Sequence, residues 1–177
     1  MGGARRNLEL KALDRDPGGS REICEGTGSE AKGVLHQEDI YFDVPRGRLK
    51  LRRERDAPAH LISYERSNRA GQRESRYQIV EVEDDTELEA ALAGALGIKA
   101  VVRKARQLFL YEGVRIHLDH VDDLGDFIEL EGVAGSEDAD LGRLEALLAD
   151  LRDSLGIRDA DLIGGSYCDL VLARAAS

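Results

Sequence analysis

The sequence predicts an α+β fold of antiparallel strands with helices packed outside them. Three observations predict it. Apolar and polar residues alternate with a period of two through most of the chain, the pattern of strands with two unlike faces. Two segments carry apolar residues at helical spacing instead. The order is several strands, a helix, more strands and a second helix, which fits an open α+β sheet or a closed antiparallel barrel. The length of 177 residues fits one domain spanning 1–177.

Residues 7–13 (NLELKAL) read as the first strand. Residues 20–32 have room for a short helix, against which Gly26 and Gly28 weigh. Residues 38–44 (EDIYFDV) read as a strand stopped by the turn signal Pro45-Arg46-Gly47. Strands follow at 48–54, 61–66 and 75–82. Thr86 and Glu89 form a capping-box pattern opening a helix. Leu88, Ala91, Leu92, Ala95 and Leu96 share its apolar face, and Gly97 stops it. Strands at 101–111 and 114–119 are joined by the hairpin signal Glu112-Gly113. After a loop at 121–125 comes a strand at 127–133. The second helix starts near Asp138, carries Leu141, Leu144, Leu147, Leu148, Leu151 and Leu155, and ends at Gly156.

Acidic residues outnumber basic ones by 35 to 25, a formal net charge of -10. That argues against a nucleic-acid partner, which normally meets a basic surface. It also disfavours RNA binding by the local cluster Arg46, Arg48, Lys50, Arg52, Arg53 and Arg55. No apolar run is long enough to cross a membrane, and residues 1–6 lack the apolar core of a secretion signal. A cytoplasmic protein without a membrane partner is expected. Cys24 and Cys168 are far apart, match no metal spacing and read as inert thiols. Oligomeric state, monomer or homodimer, is not legible.

The polar strand faces are dense in charge. Asn7, Glu9 and Lys11 share a face, as do Arg48, Lys50 and Arg52, then Lys104 and Arg106, then Arg115, His117 and Asp119, then Glu129 and Glu131. The ordinary reading turns these faces to water. The inverted reading closes the strands into a barrel with the charges inside and the apolar faces under the helices. Buried charges must be paired or hold a ligand. Bases mixed with a few carboxylates suit a polyanion and a divalent cation.

Four blocks carry a family resemblance. NLELKA, QEDIYFDVPRGRLKLR, VVRKARQLFLYEGVRIHLDHVDDLGDFIELE and GGSYCDLVL occur in this order. They resemble the CYTH superfamily of triphosphate tunnel metalloenzymes, closest in wording to class IV adenylate cyclase-like members. The resemblance implies a closed antiparallel tunnel with a charged lumen, Mg²⁺ or Mn²⁺, and a small triphosphate-containing molecule as partner. It assigns catalytic roles to Glu9, Lys11, Glu129 and Glu131. It assigns phosphate binding to Lys11, Lys50, Arg52, Lys104, Arg106 and Arg115. It assigns the metal to Glu9, Glu129 and Glu131, with Asp119 as helper, and Ser166 and Tyr167 match the closing pair. Asn7 stands where the motif has its first glutamate, which removes one negative charge from the site. Glu65 stands where relatives carry a lumen lysine, with Arg66 or Arg76 as candidate replacements. The implied activity is metal-dependent hydrolysis of inorganic or nucleoside triphosphate. The alternatives are cyclisation of ATP to cyclic AMP and pyrophosphate, and a non-catalytic polyphosphate- or nucleotide-binding module.

Other residues have simpler readings. His117 reads as structural, and His36, His60 and His120 as solvated loop residues. Tyr41 and Phe42 cannot share a face, so one of them packs in the core. Tyr64 and Tyr77 offer rings for stacking on a base, but core filling is the simpler assignment.

Overall fold

A computed structural model of the chain describes residues 5–66, 73–133 and 138–176, with the backbone alone at 5–7, 66, 73–76, 133 and 138–140. The side chains of Asn7, Arg66 and Arg76, invoked above, lie outside the described set. The strands are β1 (Arg5–Leu13), β2 (Glu30–Phe42), β3 (Arg48–Glu54), β4 (Ala57–Arg66), β5 (Arg73–Val82), β6 (Ile98–Tyr111), β7 (Val114–Val121) and β8 (Gly125–Val133). The helices are α1 (Pro17–Gly26), α2 (Asp85–Leu96), α3 (Asp138–Ser154) and α4 (Tyr167–Ala175). Every ladder is antiparallel, and β1 pairs with both β5 and β8. The strand order is therefore a ring, β1-β5-β4-β3-β2-β6-β7-β8. A ring leaves no unpaired edge to be covered.

Local chemistry explains most boundaries. Asp16 caps α1 by accepting a hydrogen bond from the Gly19 N–H, and Pro17 fits its first turn. This helix starts upstream of the expected 20–32 and ends within it, at Gly26. Asp84, not Thr86, caps α2, accepting from the Glu87 N–H. Glu112 and Gly113 both have positive φ, 46° and 87°, as the tightest β6–β7 hairpin turn requires. β2 begins well before the expected 38, because its exposed first half pairs along β6. His36, His60 and His120 lie in strands β2, β4 and β7, not in loops, and His120 meets Asp126 at the surface.

The apolar core lies outside the ring. Leu8, Leu10, Ile116, Ile128 and Leu130 pack beneath Leu144, Leu148 and Leu151 of α3. Gly132 lets α3 approach β8; a Cβ there would meet Leu144 at 2.3 Å. Ile40, Phe42 and Leu51 pack beneath Leu88, Leu92 and Leu96 of α2. Phe42 and Tyr41 point to opposite faces as expected, but both are buried, Phe42 in this cluster and Tyr41 in the third. A third cluster lies at one end of the lumen, where Leu13, Ala100, Val102, Val121 and Phe127 meet α4 through Tyr167, Cys168 and Val171. These strand residues continue the alternation of the charged faces, so the lumen turns apolar where α4 stoppers it. Cys24 and Cys168 are both buried and free. Among the described residues, no helix is long and apolar enough to cross a membrane.

Candidate active site

The inward positions of the strands meet around a cavity of about 290 Å³. Lys11, Lys50, Arg52, Lys104, Arg106 and Arg115 all line it, as do Glu9, Glu129 and Glu131. Apart from Arg115, these side chains are mostly withdrawn from solvent. The charge-dense faces noted in the sequence therefore turn inward.

Asp39 organises one half. It is 1% exposed. Its oxygens accept hydrogen bonds from Lys50 Nζ at 2.9 Å, Lys104 Nζ at 3.0 Å, and Arg52 Nε and Nη2 at 2.6 and 2.7 Å. Burial alone pushes this carboxyl upward, but Arg52, Lys104 and Lys50 outweigh it and hold it well below the usual carboxylate range. The lysines respond in the opposite sense. Burial and the neighbouring Arg52 push Lys50 well below the usual lysine value. Burial, opposed by Asp39, lowers Lys104 to about 8. Asp39 was not singled out in the sequence. The signal was present, since Gln37, Asp39 and Tyr41 alternate on one face, but the pairing of Asp39 with Arg52 across the β2–β3 ladder was not visible.

The other half centres on Glu129. Arg106 Nη2 donates to it at 2.7 Å, and Lys11 Nζ and His117 Nδ1 lie at 3.6 and 3.7 Å. Burial raises this carboxyl, and Lys11, His117 and Arg106 together hold it well below its usual range. His117 thus lines the lumen. Burial and Arg106 lower its pKa. Its Nδ1, like Gln37 Oε1, is buried without a hydrogen-bond partner among the described residues.

Asp119 differs from the position expected of a metal helper. Arg106 holds both its oxygens, at 2.7 and 2.6 Å, and Tyr167 donates its hydroxyl proton to Oδ2 at 2.7 Å. Against the rise that burial causes, Arg106 lowers Asp119 to about 2. It is not among the cavity-lining residues, and it positions Arg106 and Tyr167. Tyr167 in turn lies under Lys11, whose Nζ is 3.5 Å from the ring centroid. Ser166 caps α4 in a capping box with Asp169. Arg48 Nη2 donates to the same Asp169 at 3.0 Å, which ties α4 to β3.

Donor chemistry and geometry bear differently on a metal. Glu9 and Glu131 are directly opposed across the β1–β8 ladder, with Glu129 opposite Lys11 two pairs further along on the same face. Opposed carboxylates disfavour each other, and their oxygens are the hard donors that Mg²⁺ or Mn²⁺ takes. Glu9, Glu129 and Glu131 therefore fit such an ion by type and side of the lumen, and Asp119 does not. Among the described residues, no three His, Cys, Asp or Glu side chains already converge as a metal cage.

β4 presents Ile62 and Tyr64 to the cavity, opposite Ile79 and Tyr77 of β5. Glu65, expected at the lumen position, is exposed on the other face.

A model of the CYTH domain matches residues 5–167. No curated protein matches the chain. Among solved structures, the PH1012 protein of Pyrococcus horikoshii OT3 is similar with a TM-score of 0.78 at 23% identity, over 93% of this chain and 98% of its own. A candidate adenylate cyclase from Vibrio parahaemolyticus gives 0.77 at 17% identity, over 96% and 99%. A candidate adenylyl cyclase from Hippeastrum, with a dominant triphosphatase activity, gives 0.62 at 14% identity, over 97% and 96%. At these identities the likeness is one of fold, but the domain model spans nearly the whole barrel and reaches Tyr167. The chain belongs to the CYTH domain family.

Proposed function

We propose that this protein is a divalent-metal-dependent phosphohydrolase that binds the triphosphate group of a small molecule in the barrel lumen. One observation carries the reading: six cationic side chains converge on one cavity that Glu9, Glu129 and Glu131 also line. Phosphoryl transfer needs positioning and charge neutralisation more than covalent help. Arg115 offers forked N–H donors to phosphate oxygens, while Arg52 and Arg106, whose Nε–Nη2 edges are held by Asp39 and Asp119, act with Lys11, Lys50 and Lys104 through their positive charge. The cations are pre-positioned by Asp39, Asp119 and Glu129, so little reorganisation accompanies binding. Mg²⁺ or Mn²⁺ would be held by Glu9, Glu129 and Glu131, where it supplies charge neutralisation and Lewis acidity.

Cyclisation of ATP would use the same cage and is the second reading. The uncharged wall of Tyr64 and Tyr77 favours it, since cyclisation needs a fixed nucleotide pose. The test measures orthophosphate, pyrophosphate and cyclic nucleotide released from inorganic triphosphate, ATP and thiamine triphosphate with Mg²⁺ or Mn²⁺. A Glu129→Ala/Glu131→Ala variant runs beside the wild type. Metal-dependent orthophosphate release that vanishes in the variant is expected. Cyclic AMP and pyrophosphate without orthophosphate would replace hydrolysis by cyclisation. Triphosphate binding with no turnover would leave a binding module.

A further inference from the structure

Gln37 places an uncharged amide in the charged lumen. It is 6% exposed and lines the cavity, two residues from Asp39 on the same face of β2. Its neighbours across the ladders are Glu54 of β3 and Lys104 of β6. Glu54 fixes the direction of the amide. A carboxylate accepts hydrogen bonds, so the amide nitrogen must face it. Gln37 Nε2 donates to Glu54 Oε2 at 2.6 Å. The carbonyl oxygen Oε1 is thereby turned the other way, and it is buried with no donor reaching it among the described residues. Lys104, the cation paired with it across the ladder, donates to Asp39 instead.

A buried acceptor without a donor is destabilising, and a group of this kind calls for a ligand or a water to supply the donor. The phosphate oxygens of a bound triphosphate do not supply it, being acceptors themselves. The carboxylates of Glu9, Glu129 and Glu131 do not either. Water does: it donates one O–H to the amide oxygen and keeps its lone pairs free for attack. An oriented water is also what hydrolysis requires, because phosphoryl transfer depends on positioning the nucleophile, and a glutamine amide orients the attacking water in GTPases.

We infer that the Gln37 carbonyl binds and orients the water that attacks the terminal phosphorus, with Glu54 as the positioning residue that holds the amide in this direction. This inference rests on the triphosphate hydrolysis proposed above. With inorganic triphosphate, the water oxygen bonds to the terminal phosphorus as the bridging P–O bond breaks, and the electron pair of that bond leaves with pyrophosphate. One water proton stays on the orthophosphate and the other passes to the pyrophosphate. The amide takes neither proton; it directs the attacking lone pair.

The experiment measures steady-state hydrolysis of inorganic triphosphate and of ATP at fixed Mg²⁺, beside calorimetric titration of inorganic triphosphate without the metal. The proteins are the wild type, Gln37→Met, Glu54→Ala and the double variant. Gln37→Met keeps the length of the side chain and removes the acceptor. It should lower kcat about tenfold for both substrates, the worth of one hydrogen bond made to the nucleophile, and leave triphosphate affinity unchanged. Glu54→Ala should lower kcat by less, and the double variant should be no slower than Gln37→Met, because the two residues act as a unit. Weakened binding with kcat unchanged would make Gln37 part of the phosphate cradle and overturn the assignment. A loss confined to ATP would give the acceptor to a hydroxyl of the ligand and overturn it too. Glu54→Ala leaves Gln37 in place, so an unchanged kcat there contradicts the inference even if Gln37→Met does not fold. A wild type that binds triphosphate and hydrolyses neither substrate would overturn the proposed hydrolysis, and this inference with it.

Discussion

Asp39 accepts hydrogen bonds from Lys50, Arg52 and Lys104, so three cations that repel one another share one buried carboxylate. Removing one partner of a buried ionic cluster leaves uncompensated charge and costs about 3–5 kcal/mol. Asp39→Asn should therefore lower the melting temperature by roughly 10 °C. Added inorganic triphosphate should restore part of that loss, because the anion neutralises the same cations. Thermal denaturation with and without the anion checks both effects. The pH dependence has two limbs. Asp39, Asp119 and Glu129 have depressed folded-state values, so their stabilisation is complete above the usual carboxylate range. For Asp119 it is lost as pH falls from 3.8 through about 2. Lys104 is lowered to about 8, and anion binding favours its charged form. Triphosphate affinity should therefore weaken as pH rises through 8, measured by titration across that range.

Among the elements, α3 contributes much of the apolar cover, and Leu148, 1% exposed, sits in its contact with the outer faces of β1, β7 and β8. Leu148→Ala should cost about 2–5 kcal/mol in a denaturant titration, the range for a leucine truncated in a packed core. α4 depends on its start. Ser166→Ala removes the cap and should cost about 1 kcal/mol. It should also weaken phosphate binding, because Tyr167 follows the cap directly and supports Lys11. Not all of these elements were equally legible. α2 and α3 announced themselves through leucine spacing. α1 has its signals in Asp16 and Pro17, but its glycines mask them. α4 is only 9 residues long, and its Ser166–Asp169 box reads from sequence as part of a motif more than as a helix start. The first half of β2 has no alternating burial to betray it, since its partner β6 is distant in sequence.

At the scale of the molecule, the barrel inverts the usual arrangement: charges line the interior and the apolar core lies between the ring and its helices. The inward set was legible residue by residue, because strand alternation is independent of which strands pair. Lys11, Lys50, Arg52, Lys104, Arg106 and Arg115 all sit where that alternation puts them. What alternation could not supply was partnership. Asp39 as hub, Asp119 as the brace of Arg106, His117 in the lumen and Tyr64 facing the cavity in place of Glu65 all depend on cross-strand register and on the neighbours that closure brings together. The central claim is that this interior holds a triphosphate beside a divalent ion. The most direct measurement is a crystal structure with inorganic triphosphate and Mn²⁺, using the anomalous signal to locate the metal. The account predicts triphosphate density among Lys11, Lys50, Lys104 and Arg106, with the manganese peak at Glu9, Glu129 and Glu131. An empty lumen, with the anion on the barrel's outer surface, would contradict it.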